Sequence, residues 1–99
     1  NELLLSSGTR VRLLGIKPIK RHTRKAVEHL RSIVGGKRIY LRTEEAQEED
    51  GAALAYVYLR NRTPVNRHLI RSGLVGVDTS RDYRFKKAFL EERARNRGR

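Results

Sequence analysis

Arg10-Val11-Arg12-Leu13-Leu14-Gly15-Ile16, followed directly by Lys17-Pro18-Ile19-Lys20-Arg21, joins an apolar alternating run to a dense group of cations. Val11 and Leu13 alternate with Arg10, Arg12 and Leu14, as a half-buried strand requires. Gly15, inside that run or just past it, marks a bulge or a close approach of another segment. No carboxylate occurs between Glu2 and Glu28, so a ligand at the end of this strand would meet positive charge.

The whole chain shares that bias. Its 99 residues carry a net charge of +12 with 37% hydrophobic residues. A chain of this size buries roughly two-thirds of its unfolded surface, which suits one domain over residues 1–99 with a basic, fraying tail at 92–99. Charge of that sign and size calls for a polyanionic partner: nucleic acid, an acidic membrane surface or an acidic protein. Four tyrosines and two phenylalanines are too few for an extensive base-stacking surface, so phosphate contacts are expected to dominate. No apolar run approaches the roughly 20 residues of a membrane span. The absence of cysteine excludes disulfides and thiolate-bound zinc. No signal-like start is present, but the chain begins at Asn1 rather than Met. The compartment is therefore open, with an intracellular or organellar site favoured over secretion.

The order of elements reads β-β-α-β-β-α-α. Leu3 to Leu5 and Thr9 to Ile16 form strands around Ser6-Ser7-Gly8. Thr23 is placed to cap a helix with Ala26, Val27, Leu30, Ile33 and Val34 at helical spacing, closed by Gly35-Gly36. Lys37 to Arg42 reads as a strand, Thr43 to Asp50 as an acidic solvated loop, and Ala53 to Leu59 as a central strand. Thr63-Pro64 starts a helix that buries Val65, Leu69 and Ile70 and stops at Gly73. After extended Leu74 to Val77, Thr79 or Ser80 would cap a last helix with Asp82 in its first turn and Phe85, Ala88 and Phe89 inward. Strands first with helices inserted and appended make an α+β chain. Periodicity alone does not choose a closed barrel over an open sheet.

Four blocks carry a resemblance that does. Gly8 to Ile16, Gly51 to Tyr58, Val65-Asn66 with Leu69-Ile70 and Gly73-Leu74, and Glu91-x-x-Ala94-Arg95 together resemble the staphylococcal nuclease (thermonuclease) family. The resemblance implies a small five-stranded oligonucleotide-binding (OB) β-barrel with three helices, its first strand truncated here. It also implies a calcium-dependent nuclease, with Asp-Thr-Pro-Glu after the strand supplying a calcium ligand and a general base. Those acids would fall within Lys17 to Lys20, and an earlier metal-binding aspartate at Asn1. A phosphate-clamping arginine would fall at Ala52, and the tyrosines after the second helix near Thr79 and Arg81. Only Arg12 matches a catalytic position of the family.

A positioned base is worth roughly 10²–10⁴ in rate and a transition-state arginine about 10³–10⁵. Without them and the metal ligands, the expected function is non-catalytic nucleic-acid binding, of RNA within a ribonucleoprotein, through phosphate contacts. The candidate binding residues are Arg12, Lys17, Lys20, Arg21, Arg24 and Lys25, with a second patch at Arg81, Arg84 and Lys87. No metal or other cofactor is expected. Calcium enters only under the alternative of a residual phosphodiesterase; a scaffold for an acidic protein is the other alternative. Arg60, Arg62, Arg67 and Arg71 add charge whose common face is not readable. His22, His29 and His68 lack metal-ligand spacing, and Glu44, Glu45, Glu48, Glu49 and Asp50 lack the pattern of a calcium loop.

Overall fold

Ile16 leaves the strand that contains Val11 and Leu13 because the backbone turns sharply at Leu14-Gly15, where Gly15 has φ +82°. The computed structural model describes residues 2–5, 8–49 and 51–97. Its elements are β1 (Glu2–Leu4), β2 (Arg10–Leu13), β3 (Ile16–Pro18), a 3₁₀ turn (Lys20–His22) and α1 (Thr23–Val34). Then follow β4 (Ile39–Glu49), β5 (Ala52–Leu59), α2 (Val65–Ser72), β6 (Val75–Val77) and α3 (Lys86–Arg97).

Four strands form one sheet in the order β1-β2-β5-β4, and β3 pairs with β6 in a second. β5 is central, parallel to β2 and antiparallel to β4. The fold is thus a small α+β arrangement of mixed sheets with three helices, consistent with an OB-type family fold. Among the described residues no strand pairing closes the sheets into a barrel. The Leu14-Gly15 turn ends β2 and redirects β3 onto β6, so that Ile16 faces Val77.

The redirected segment packs tightly. A Cβ at Gly15 would lie 2.7 Å from a Phe89 ring carbon and 2.8 Å from one of Tyr83, so the close approach expected there is real. Leu14, Leu30, Val57, Leu69, Val77 and Phe89 belong to one buried cluster drawn from both sheets and all three helices.

Four expectations change. Thr23 is the first residue of α1 rather than its cap; its hydroxyl instead donates to the Ile19 carbonyl (3.3 Å) across the preceding 3₁₀ turn. Pro64 stands before α2 in an extended conformation rather than inside the first turn. The segment expected as an acidic loop is mostly strand, because β4 continues through Glu49 with a register shift between Thr43 and Glu48; Asp50 lies outside the described residues. The last helix starts at Lys86 and not near Thr79. Asp78 accounts for that delay: its carboxylate accepts bonds from the Ser80 amide (2.8 Å) and hydroxyl (2.6 Å), holding a turn in which Tyr83 donates to the Asp78 carbonyl (2.7 Å).

The tail expected to fray is helical to Arg97, while residues 98–99 lie outside the described residues. Glu92, 4% exposed, anchors it by accepting bonds from Arg67 (3.1 Å) and Arg71 (3.0 Å) on α2.

Candidate nucleic-acid interface

β2, the Leu14-Gly15 turn and β3 form one wall of a cleft of about 470 Å³, and the segment after β6 forms the other. Arg12 and Lys17 line it from the first wall, and Asp78, Thr79, Ser80 and Arg81 from the second. The wall geometry follows from the sequence order. Arg12 lies on β2, Lys17 sits on β3 opposite Gly76, and the Asp78 amide donates to the Gly15 carbonyl (2.9 Å), fastening the two walls together.

Among the described residues one carboxylate lines the cleft, and it is committed. Burial alone would raise the Asp78 pKa, but the Ser80 hydroxyl and amide and the nearby Arg81 guanidinium (3.4 Å) outweigh that and hold it below the ordinary value. Asp78 is therefore a charged acceptor, and Arg12, Lys17 and Arg81 leave the cleft net positive. Calcium fits this donor set poorly: it takes about six to eight oxygen ligands, and the single carboxylate already serves Ser80 and Arg81. Among the described residues no three His, Cys, Asp or Glu side chains converge on a possible ion. Asn1 lies outside the described residues, and Ala52 is wholly buried at the start of β5.

The nine candidate residues divide. Arg12, Lys17 and Arg81 share the cleft. Lys20 and Arg21 follow β3 on the 3₁₀ turn, and Arg24 and Lys25 open α1; all four are exposed. Arg84 and Lys87 are exposed too but do not line the cleft. The Arg84 amide donates to the Glu44 carboxylate (2.8 and 3.0 Å), and its guanidinium lies 5.8 Å from the Phe85 ring centre.

Glu44 thus has a defined role that its acidic neighbourhood concealed. It also accepts from the Tyr56 hydroxyl (3.2 Å), whose pKa is pushed up to about 12, chiefly by burial and further by Glu44.

A family model described as staphylococcal nuclease homologue matches residues 10–99, from the first residue of β2 onward. The chain belongs to that family. No curated protein matches it. Within this nuclease-family chain, Thr79 and Arg81 stand on the cleft wall where the resemblance placed tyrosines.

Asp78 and Asn66 have roles that local sequence does not announce. Asp78 stands between Val77 and Thr79 with no acidic motif around it to single it out. Asn66 stands in the sequence only as part of a motif, yet it is 2% exposed and makes three hydrogen bonds through its amide oxygen and nitrogen. It accepts from the Val57 amide (2.9 Å) and donates to the Leu14 (2.8 Å) and Ala55 (3.2 Å) carbonyls, pinning α2 to the strands behind the cleft. A buried amide followed by Leu69 and Ile70 at helical spacing was its only available signal.

Proposed function

We propose that this domain binds nucleic acid without cleaving it, that the strand is RNA held within a ribonucleoprotein, and that the binding face is the cleft and the cationic ramp beside it. The observation that carries the reading is the lining of the cleft. Three cations face one carboxylate that is already engaged by two donors and a guanidinium. A phosphodiester suits the net positive charge of this lining, with exposed Lys17 as a point charge and Arg12 and Arg81 adding guanidinium charge beside it. Lys20, Arg21, Arg24 and Lys25 would continue the contact along the backbone, which supports tolerance of sequence, since phosphate contacts position a strand without reading it.

Cleavage is disfavoured by the same residues. A general base must reach the attacking water, and Asp78 is engaged by Ser80 and Arg81.

The test is fluorescence anisotropy of a labelled RNA against the 99-residue chain at several salt concentrations, with a cleavage assay alongside. Each phosphate contact to a single strand contributes a slope of about 0.7 in log affinity against log salt, so five contacts weaken binding by about 100-fold between 50 and 200 mM. Arg12→Ala or Lys17→Ala is expected to reduce that slope by about 0.7. A flat salt response overturns the reading. Calcium-dependent RNA or DNA cleavage that vanishes in Arg12→Ala establishes the phosphodiesterase alternative instead.

A further inference from the structure

A second groove, of about 560 Å³, lies at the other end of the β4–β5 ladder. Tyr40, Leu41, Arg42, Tyr58, Leu59, Arg60 and Arg62 line it, so among the described residues it carries three arginines and no carboxylate. Tyr40 and Tyr58 are direct partners in the ladder, which puts both rings on one face of the sheet. Among the described residues the exposed large hydrophobic side chains are Tyr40 (47%), Leu41 (39%) and Leu90 (39%), and two of these three belong to this groove.

The loop that delivers Arg60 and Arg62 is strained. The Arg62 amide donates to the Leu59 carbonyl (2.8 Å) and the Leu59 amide to the Thr63 carbonyl (3.1 Å), closing a tight turn after β5. Arg62 takes the left-handed position of that turn at φ +69°, the one non-glycine residue with positive φ among those described. Glycine suits such a position. A bulky cation kept where glycine is easier, on the rim of a groove with two tyrosines, is the kind of local cost that accompanies a binding site.

We propose that this groove is a base-stacking site for an unpaired stretch of nucleic acid. Bases stack on Tyr40 and Tyr58, and Arg42, Arg60 and Arg62 hold the flanking phosphates. Stacking tolerates any base because each has a π-face, and guanidinium planes can stack as well. Structured RNA exposes such bases in loops and bulges, whereas a duplex keeps them paired. β5 connects the two sites on one face: Leu54 lines the cleft and Tyr58 the groove, four rises of about 3.3 Å apart, or about 13 Å. One short single strand would therefore occupy both. The proposal rests on the nucleic-acid reading of the cleft and adds to it a preference for unpaired strands.

The chain contains no tryptophan, so its intrinsic fluorescence comes from four tyrosines, of which Tyr40 and Tyr58 line the groove while Tyr56 and Tyr83 are buried. The 99-residue chain is titrated with oligo(U), oligo(dT) and a duplex of equal length. Both single strands are expected to quench tyrosine emission, and the duplex much less; a quench by oligo(U) alone restricts the site to RNA. Tyr40→Ala, at an exposed position, should weaken single-strand binding by about 5- to 150-fold and leave duplex affinity and the salt slope unchanged, while Tyr40→Phe retains binding. Arg62→Gly should raise the melting temperature and lower single-strand affinity together. Equal effects of Tyr40→Ala on single strands and duplex, or no effect on either, overturn the stacking site and leave the cleft intact. Displacement of nothing but an acidic peptide from the groove, with oligonucleotides ignoring it, also overturns the site. Failure of the unmodified chain to bind any nucleic acid overturns the cleft reading itself.

Discussion

Replacing Asn66 tests whether one buried amide holds the cleft wall to the helix behind it. In Asn66→Ala the Val57 amide and the Leu14 carbonyl each lose their bond to this side chain. The Ala55 carbonyl keeps a second donor, the Leu14 amide at 2.9 Å, so its loss is smaller. A buried polar group stranded without a partner costs about 1–3 kcal/mol. Two of them give about 2–6 kcal/mol against a total stability of about 5–15 kcal/mol for a chain this size. With about 4–8 °C per kcal/mol, the melting temperature should fall by at least ~8 °C.

Asn66→Asp sharpens the test at nearly constant volume. The acceptor for Val57 remains, but an oxygen now faces the Leu14 and Ala55 carbonyls at distances set for donors. That geometry favours the protonated acid, so the folded pKa lies above the unfolded value of about 3.9. The stability it contributes is present below that value and lost as pH rises, so the penalty relative to wild type should grow from pH 4 to pH 7. Urea unfolding followed by circular dichroism measures both variants, with an unchanged m-value confirming comparable end states. A loss below about 0.5 kcal/mol for Asn66→Ala, or a pH-independent penalty for Asn66→Asp, would refute the reasoning.

Three further outcomes follow from the packing and charge of the fold. Gly15→Ala should destabilise by about 2–5 kcal/mol, combining left-handed strain with a Cβ 2.7–2.8 Å from the Phe89 and Tyr83 rings; Gly73→Ala, at φ +79° with nothing within 4 Å, should cost only about 1–2 kcal/mol by the same melts. Glu92 is held below the ordinary carboxylate value, first by the Arg71 hydrogen bond and also by Arg67; its contribution is present above about pH 4.5 and disappears as pH falls through the folded value, so Glu92→Gln should remove that acid limb from a pH–stability profile. His68 stacks on His29 (ring centres 5.4 Å apart) and is lowered by burial, then by His29 and Arg71. Its contribution is therefore present above about pH 6.5 and declines below it, and His68→Gln should flatten this separate, milder limb.

Helix and strand identity was legible where period and punctuation agreed. Val65, Leu69 and Ile70 are buried on α2 as their spacing required, and Gly73 ends that helix in the left-handed region. The acidic segment failed because a polar side chain has its partners far away in sequence. Glu44 reads as one more acid in a solvated run until Arg84 and Tyr56, 40 and 12 residues away, supply its donors. The delayed start of α3 has a nearer cause: Asp78 accepts from Ser80, two residues on, and holds a turn where Thr79 or Ser80 would otherwise cap a helix.

The candidate site divides the same way. Charge, the absence of acids beside Lys17 and the family of the fold follow from composition and local order alone, because each is a property of residues close in sequence. The cleft needed the tertiary structure, since Arg12 and Arg81 come to line one cleft only when β3 pairs with β6. So did the sorting of the surplus arginines. Arg67 and Arg71 are drawn to the buried carboxylate of Glu92, whereas Arg60 and Arg62 are left beside Tyr40 at the far end of the ladder. An isolated arginine codon specifies a cation; whether that cation is neutralised by its own fold or offered to a ligand depends on which carboxylates the packing brings within reach.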